Sequence, residues 1–259
     1  VEDAGLGVGE DEVHLYFADP REAVRAAALP HYREVLGRDE IERAERFHFE
    51  KDRVNYMVAH ALVRETLGRY LRSASSALRF ETNPWGRPFL AGELEGRLQF
   101  NLSRSRDLVL LGVTKTRALG VDVEYSQRRG VVEIADRYFA PTEVGELRRL
   151  AEAEQQGRFF DYWTLKESYI KARGMGLSLE LDKFAFSMSA EAAIALTVEP
   201  ELSDHGDHWD FLLLEPDGEH KAAVAVERVL GRPFAWSAFK AVPWGGANRF
   251  QPRVLRRSL

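Results

Sequence analysis

The sequence predicts an α+β protein made of two halves that meet near residue 116. Three observations carry that expectation. Apolar residues recur at helical spacing in stretches such as DRVNYMVAHALVRETLGRYL, and short alternating runs such as EVHLYFAD and GVDVEY read as strands. The two patterns follow one another as strand, helices, strands, then helices, strands. The expected domains are therefore residues 1–116 and 117–259.

Each element has a local reason. Residues 1 to 12 are Gly-rich and acidic and read as a loose end. Pro20 opens a helix through PREAVRAAAL, and Asp39 is placed to cap one through EIERAERFHF. The next helix carries Val54, Met57, Val58, Ala61, Leu62 and Leu67 at apolar positions until SASS breaks it. LRFETNPWGRPFL reads as a strand, a turn at Asn83–Gly86 and a return. RLQFNLS, DLVLLGVT and ALGVDVEY read as three strands, the last two joined by a short turn at Lys115–Arg117. Pro141 opens a helix through PTEVGELRRLAEAEQQ, and Gly174 stops another, RFFDYWTLKESYIKAR. The remainder, with WDFLLLEPDGEHKAAVAVE, reads as an antiparallel hairpin sheet.

Composition narrows the function classes. The 259 residues are 45% hydrophobic and 30% charged, enough for a real core in a globular protein. A net charge of −5 argues against a nucleic-acid binder. The absence of cysteine excludes disulfides, thiolate metal sites and cysteine nucleophiles, and suits the cytoplasm. No apolar run nears the ~18 residues of a membrane span and no signal-peptide pattern opens the sequence, so a cytoplasmic protein without a membrane partner is expected.

GVDVEY raises the functional question. Alternation sets Asp122 and Glu124 on one strand face, about 6–7 Å apart. Two unpaired carboxylates at that range repel by roughly 3 kcal/mol at an effective dielectric of ~20. Either the face is solvated or a cation sits beside it. In YWTLKESYIK, Trp163, Glu167 and Ile170 share a helix face with Lys171 close by. Taken alone, Glu167 and Lys171 read first as a surface pair worth about 0.3–0.5 kcal/mol. Together, Asp122, Glu124 and Glu167 offer three oxygen ligands suited to Mg²⁺, and Lys166 and Lys171 offer charge for a phosphate. Further phosphate candidates are Ser103 and Arg104 in FNLSRS, Arg87 in WGRP, and Arg43 with Arg46 in ERAERF. Each of these cations taken singly also fits a solvated surface. His205 and His208 read as a polar loop, and Arg253, Arg256 and Arg257 as a solvated tail.

The order of these motifs is more telling than any one of them. WGRP, FNLSRS, LGVDVE, YFAPTE and WTLKESYIKARGMGLSL, with RAERFHFEKDR before them, resemble the Sfp-type 4′-phosphopantetheinyl transferases over residues 39–186. The resemblance implies two similar α/β halves in pseudo-twofold arrangement, with an active site in the cleft between them. It implies transfer of the phosphopantetheine arm of coenzyme A to a serine of an acyl or peptidyl carrier protein. By motif position it implies Asp122, Glu124 and Glu167 as Mg²⁺ ligands and Lys171 at the transferred phosphate or pyrophosphate. Arg43, Arg87, Ser103 and the position after it are implied at coenzyme A. Glu167 is the first choice of general base and Glu143 the alternative. One position departs from the family pattern: Arg104 stands where histidine is usual, so phosphate contact is retained and proton transfer is not. A monomer is expected. The rival readings are a Mg²⁺-dependent phosphohydrolase or nuclease, and an inactive carrier-binding homologue.

Overall fold

The computed structural model describes residues 7–188 and 193–258, so the first six residues of the expected loose end lie outside the described residues. In chain order the elements are β1 (Glu12–Ala18), α1 (Pro20–Arg25), α2 (Leu29–Val35), α3 (Arg38–Glu45), α4 (Glu50–Leu71), β2 (Phe80–Thr82), β3 (Pro88–Leu90), β4 (Gln99–Ser105), β5 (Leu108–Thr114) and β6 (Leu119–Tyr125). Then follow α5 (Ala135–Tyr138), α6 (Pro141–Arg149), α7 (Glu152–Arg173), β7 (Phe184–Met188), β8 (Ile194–Val198), β9 (Trp209–Glu215), β10 (His220–Glu227), β11 (Ala235–Val242), β12 (Gly246–Phe250) and β13 (Arg253–Arg257). The chain forms two compact α+β units. No helix among the described residues is long and apolar enough to cross a membrane.

The first unit takes the chain up to Asn83, Pro88–Thr116 and Phe234–Phe250. Its sheet runs β12-β11-β1-β5-β4. β1 pairs antiparallel with β5 and parallel with β11, so a strand from the far end of the chain completes this sheet. The helix α4 lies on it, and Val58, Leu62 and Leu67 pack with Tyr16, Phe100, Val109 and Leu111 in one core. Local details shift from the sequence expectation. The first helix stops at Arg25, Ala27 adopts a positive φ of 52°, and α2 begins as a separate helix. α3 is entered at Gly37, whose N–H donates to Glu40 at 2.6 Å; Asp39 lies in the first turn and does not cap.

The second unit takes Pro84–Arg87, Arg117–Pro233 and the chain after Gln251. Its sheet runs β13-β9-β10-β6, with α7 packed along β6 and β10. Phe159, Tyr169, Phe186, Phe211, Leu213, Ala223 and Ala225 form its core. Here too the sequence expectation is corrected. β5 and β6 are not a hairpin; Lys115–Arg117 carries the chain from one sheet to another. The helix begun at Pro141 breaks at Leu150, where ψ is 154°, and α7 runs unbroken from Glu152 through Gly157. Arg253, Arg256 and Arg257 form no tail but the edge strand β13, hydrogen-bonded to β9.

Candidate active site

The carboxylate group of the second unit is built by one close approach. Gly120 opens the acidic face of β6. A Cβ there would lie 2.0 Å from the Ser168 carbonyl and 2.3 Å from the Ala172 nitrogen. Only glycine lets α7 come so near, and that approach brings the next residue on the same face, Asp122, to Lys171. Lys171 Nζ stands 2.6 Å from Asp122 Oδ1, the lysine part-exposed and the aspartate buried. Glu167, one turn earlier on α7, is raised above the usual carboxylate range, first by burial and then by the negative charges of Asp122 and Glu124, while Lys171 opposes the rise. Glu124 lies half-buried at the end of the strand with Arg128 3.5 Å away. Lys171 thus answers the question that GVDVEY posed: a cation does sit beside the acids.

Among the described residues, no group of three or more His, Cys, Asp or Glu side chains is arranged to hold a metal ion. The donor chemistry nevertheless fits Mg²⁺. Glu167 feels the negative charges of Asp122 and Glu124, and all three carboxylates of this unit are hard oxygen donors.

Two motif residues are corrected. Lys166 is not a phosphate ligand and Glu143 is not a general base. Both are fully buried, with Nζ 2.7 Å from Glu143 Oε2. Lys166 also donates to the Leu181 and Phe184 carbonyls at 2.7 and 2.6 Å. Glu143 also accepts the Ala140 and Phe186 backbone N–H groups at 2.9 and 2.8 Å. Burial pushes Glu143 up and Lys166 down, and their mutual attraction opposes both shifts. Three donors meeting three acceptors suit the charged pair. It ties the α6 entry and β7 to the middle of α7 and presents nothing to a substrate.

Arg87 is a helix cap. Its Nη1 donates to the Lys171 and Ala172 carbonyls, each at 2.8 Å, and its Nη2 to the Leu119 carbonyl at 2.9 Å. The last turn of a helix leaves its carbonyls without helical partners, and a cation there also suits the helix dipole. Gly174 closes the same end in the left-handed region at φ 64°. The backbone that carries Lys171 is therefore held from two directions.

The remaining candidates lie in the first unit. Arg104 on β4 stands over the rings of Phe47 and Tyr56, with its Cζ 5.6 and 5.3 Å from their centroids. Arg43 on α3 stands over the same Tyr56 ring at 6.0 Å. Ser103 is buried and pairs with Leu110, while Arg104 pairs with Val109 of the helix-covered core. Neighbouring strand residues point to opposite faces, so Ser103 and Arg104 do not converge from one side. Sequence reasoning missed Phe47 and Tyr56. It also missed Lys221, which pairs across the sheet with Glu124 and reaches Asp161 of α7 at 3.3 Å. The only local signal was the aromatic content of RFHFEK and VNYM; the Lys221 contact depends on strand register.

The His205–His208 loop is structural. Asp204 beside it accepts from Tyr169 at 2.6 Å, Arg173 at 2.7 Å and the Trp209 indole at 2.8 Å, with His208 Nδ1 3.1 Å away.

Comparison with known proteins gives the family. Residues 118–225 match the family described as the 4′-phosphopantetheinyl transferase superfamily, and residues 25–116 match the family described as 4′-phosphopantetheinyl transferase, N-terminal. The 4′-phosphopantetheinyl transferase HetI of Nostoc sp. is 36% identical over 232 residues, covering 87% of this chain and 92% of that one. A phosphopantetheinyl transferase of Thraustochytrium sp. is 33% identical over 205 residues, covering 74% and 70%. The 4′-phosphopantetheinyl transferase Sfp of Bacillus subtilis is 30% identical over 183 residues, covering 71% and 78%. The acids of β6, the helix α7 that meets them and the aromatic-lined arginines all fall within matched segments, and the chain belongs to the 4′-phosphopantetheinyl transferase superfamily.

Proposed function

We propose that this chain transfers the 4′-phosphopantetheine arm of coenzyme A to a serine of an apo acyl or peptidyl carrier protein. The observation that carries the reading is the grouping of Asp122, Glu167 and Lys171 where α7 crosses β6 at Gly120. In the reaction the serine Oγ bonds to the phosphorus that bears the pantetheine. The bond from that phosphorus to the bridging oxygen breaks, and adenosine 3′,5′-bisphosphate leaves.

Such a transfer is mostly positioning and charge neutralisation. Lys171 supplies a cation for the pyrophosphate. Glu167 accepts the serine proton. Glu143, sealed against Lys166, leaves Glu167 as the base. Asp122, Glu124 and Glu167 would hold Mg²⁺, which when bound would neutralise pyrophosphate charge. Arg43 and Arg104 hold coenzyme A phosphate. Arg87 acts through the backbone of Lys171. We place the reaction in the cytoplasm.

The deciding experiment is mass spectrometry of several apo-carrier proteins incubated with coenzyme A and Mg²⁺. One added phosphopantetheine on the carrier serine is the expected result, and it should vanish with EDTA and return with Mg²⁺. Hydrolysis of coenzyme A with no gain of mass on any carrier would replace the reading by a phosphohydrolase.

A further inference from the structure

We propose that Phe47 and Tyr56 form an aromatic slot that positions Arg104, together with Arg43, as a ligand for a phosphate monoester or diphosphate; the identification of that anion with coenzyme A rests on the function proposed above. Four features point there. First, two guanidinium groups converge on one ring: Arg104 at 5.3 Å and Arg43 at 6.0 Å from the Tyr56 centroid. Second, among the described residues neither arginine makes an ion pair with a carboxylate, although Arg33, Arg38 and Arg64, on the neighbouring helices, all do. Two like charges gathered with no carboxylate in ion-pair contact invite an anion that can take several N–H donors at once, and guanidinium matches phosphate in that way. Third, the slot is fixed from behind. Tyr56 is buried, stacks on His60 with centroids 4.1 Å apart and packs on Phe47 at 5.4 Å; His60 is in turn held by Glu40 at 2.9 Å. Fourth, both arginines are exposed, so N–H donors remain open to solvent beside the rings.

Cation–π contact also suits arginine rather than histidine at position 104. A guanidinium can sit over an aromatic ring with its charge permanent and still present several donors to an anion. Burial against the rings and the nearby charge of Arg43 lower its pKa, while Tyr56 and Asp52 raise it, and a guanidinium stays charged under all of them. The site therefore carries a charge that does not switch off near neutral pH.

The test is calorimetric binding of coenzyme A and of dephospho-coenzyme A to the intact chain. Phe47→Leu should weaken coenzyme A by about three- to tenfold, the range of a cation–π contact at a partly exposed site, and Phe47→Tyr should restore it. In an Arg104→Ala background, Phe47→Leu should cause no further loss, because Arg104 is the guanidinium that stands over Phe47. Tyr56→Leu should weaken coenzyme A at least as much as Phe47→Leu, because both arginines stand over that ring, with Tyr56→Phe as the conservative control. Equal losses for the two ligands assign the pyrophosphate; a loss confined to coenzyme A assigns the 3′-phosphate. Wild-type affinity in Phe47→Leu when Arg104→Ala has lost affinity would overturn the slot and leave the transferase reading standing. Wild-type affinity in Arg104→Ala itself, or additive losses in the double variant, would overturn it as well. Intact binding effects in a chain that labels no carrier would keep the slot and remove the transferase reading.

Discussion

Two lysines five residues apart on α7 make ion pairs of nearly equal length, and they have opposite meanings. Lys166 meets Glu143 at 2.7 Å with both side chains fully buried. Lys171 meets Asp122 at 2.6 Å with about a quarter of the lysine side chain exposed. All three donors of Lys166 are used by Glu143 and two carbonyls. Lys171 instead stands among three acids, Asp122, Glu124 and Glu167, and Glu167 is raised first by burial and then by the charges of the other two, with Lys171 opposing the rise. A short ion pair on a motif residue is therefore not a sign of chemistry. What separates the sealed pair from the one proposed to act is exposure and the number of acids around the lysine.

The strongest way to break that comparison is to remove Asp122. Asp122→Ala should abolish transfer, a loss of at least about 10³-fold, or ~4 kcal/mol at 1.36 kcal/mol per tenfold, with the fold retained. Full activity of this variant at millimolar Mg²⁺ in the carrier-labelling assay would remove Asp122 from the site. At the sealed pair the loss should appear in stability. Lys166→Met leaves a buried carboxylate without its cation and should cost ~3–5 kcal/mol in urea unfolding. The double variant Lys166→Met/Glu143→Leu should recover most of that cost, because no charge is then left buried. If Lys166→Met kept its stability and lost coenzyme A affinity instead, the two lysines would not differ as described.

Glu167→Gln tests the open side more finely. It keeps the shape and loses charge and basicity, so kcat should fall by about 10²-fold, ~2.7 kcal/mol, with the KM for carrier little changed. Restoration of full turnover by higher pH or Mg²⁺ would leave only a metal-binding part for Glu167. Arg87→Ala should cost about 1–3 kcal/mol of stability by leaving helix-end carbonyls without their charged donor, and turnover should drop through the loosened Lys171 backbone.

The smallest expected effect concerns a sealed acid of the first unit. Burial pushes Glu40 up, but hydrogen bonds from His60 and Arg64 outweigh it and hold the carboxyl below its usual value of 4.5. A depressed carboxylate contributes stability that is complete above the unfolded pKa and is lost as pH falls through the folded one. Unfolding free energy should therefore decline below about pH 4.5, and Glu40→Gln should flatten that decline. An unchanged acid limb in the variant would show that the Glu40 network contributes nothing there.

The sequence by itself determined much of this protein. Local spacing was enough for β1, α4, β4, β5, β6 and the hairpin β9–β10, because side-chain period depends only on neighbours. The Gly174 stop and the shared face of Asp122 and Glu124 were legible for the same reason, as were Glu167 and Lys171 one turn apart. Motif order was enough for the family. Tertiary structure decided what local pattern cannot carry. Sequence spacing gives no burial, so Lys166 and Glu143 looked like Lys171 and Glu167 until their partners on α6 and β7 were seen. It gives no long-range pairing, so β11 joining β1 and β6 leaving β5 were invisible. Arg104 could be read as a phosphate ligand from one position of a motif, but the rings that hold it come from Phe47 and Tyr56, brought to β4 only when α4 packs on the sheet.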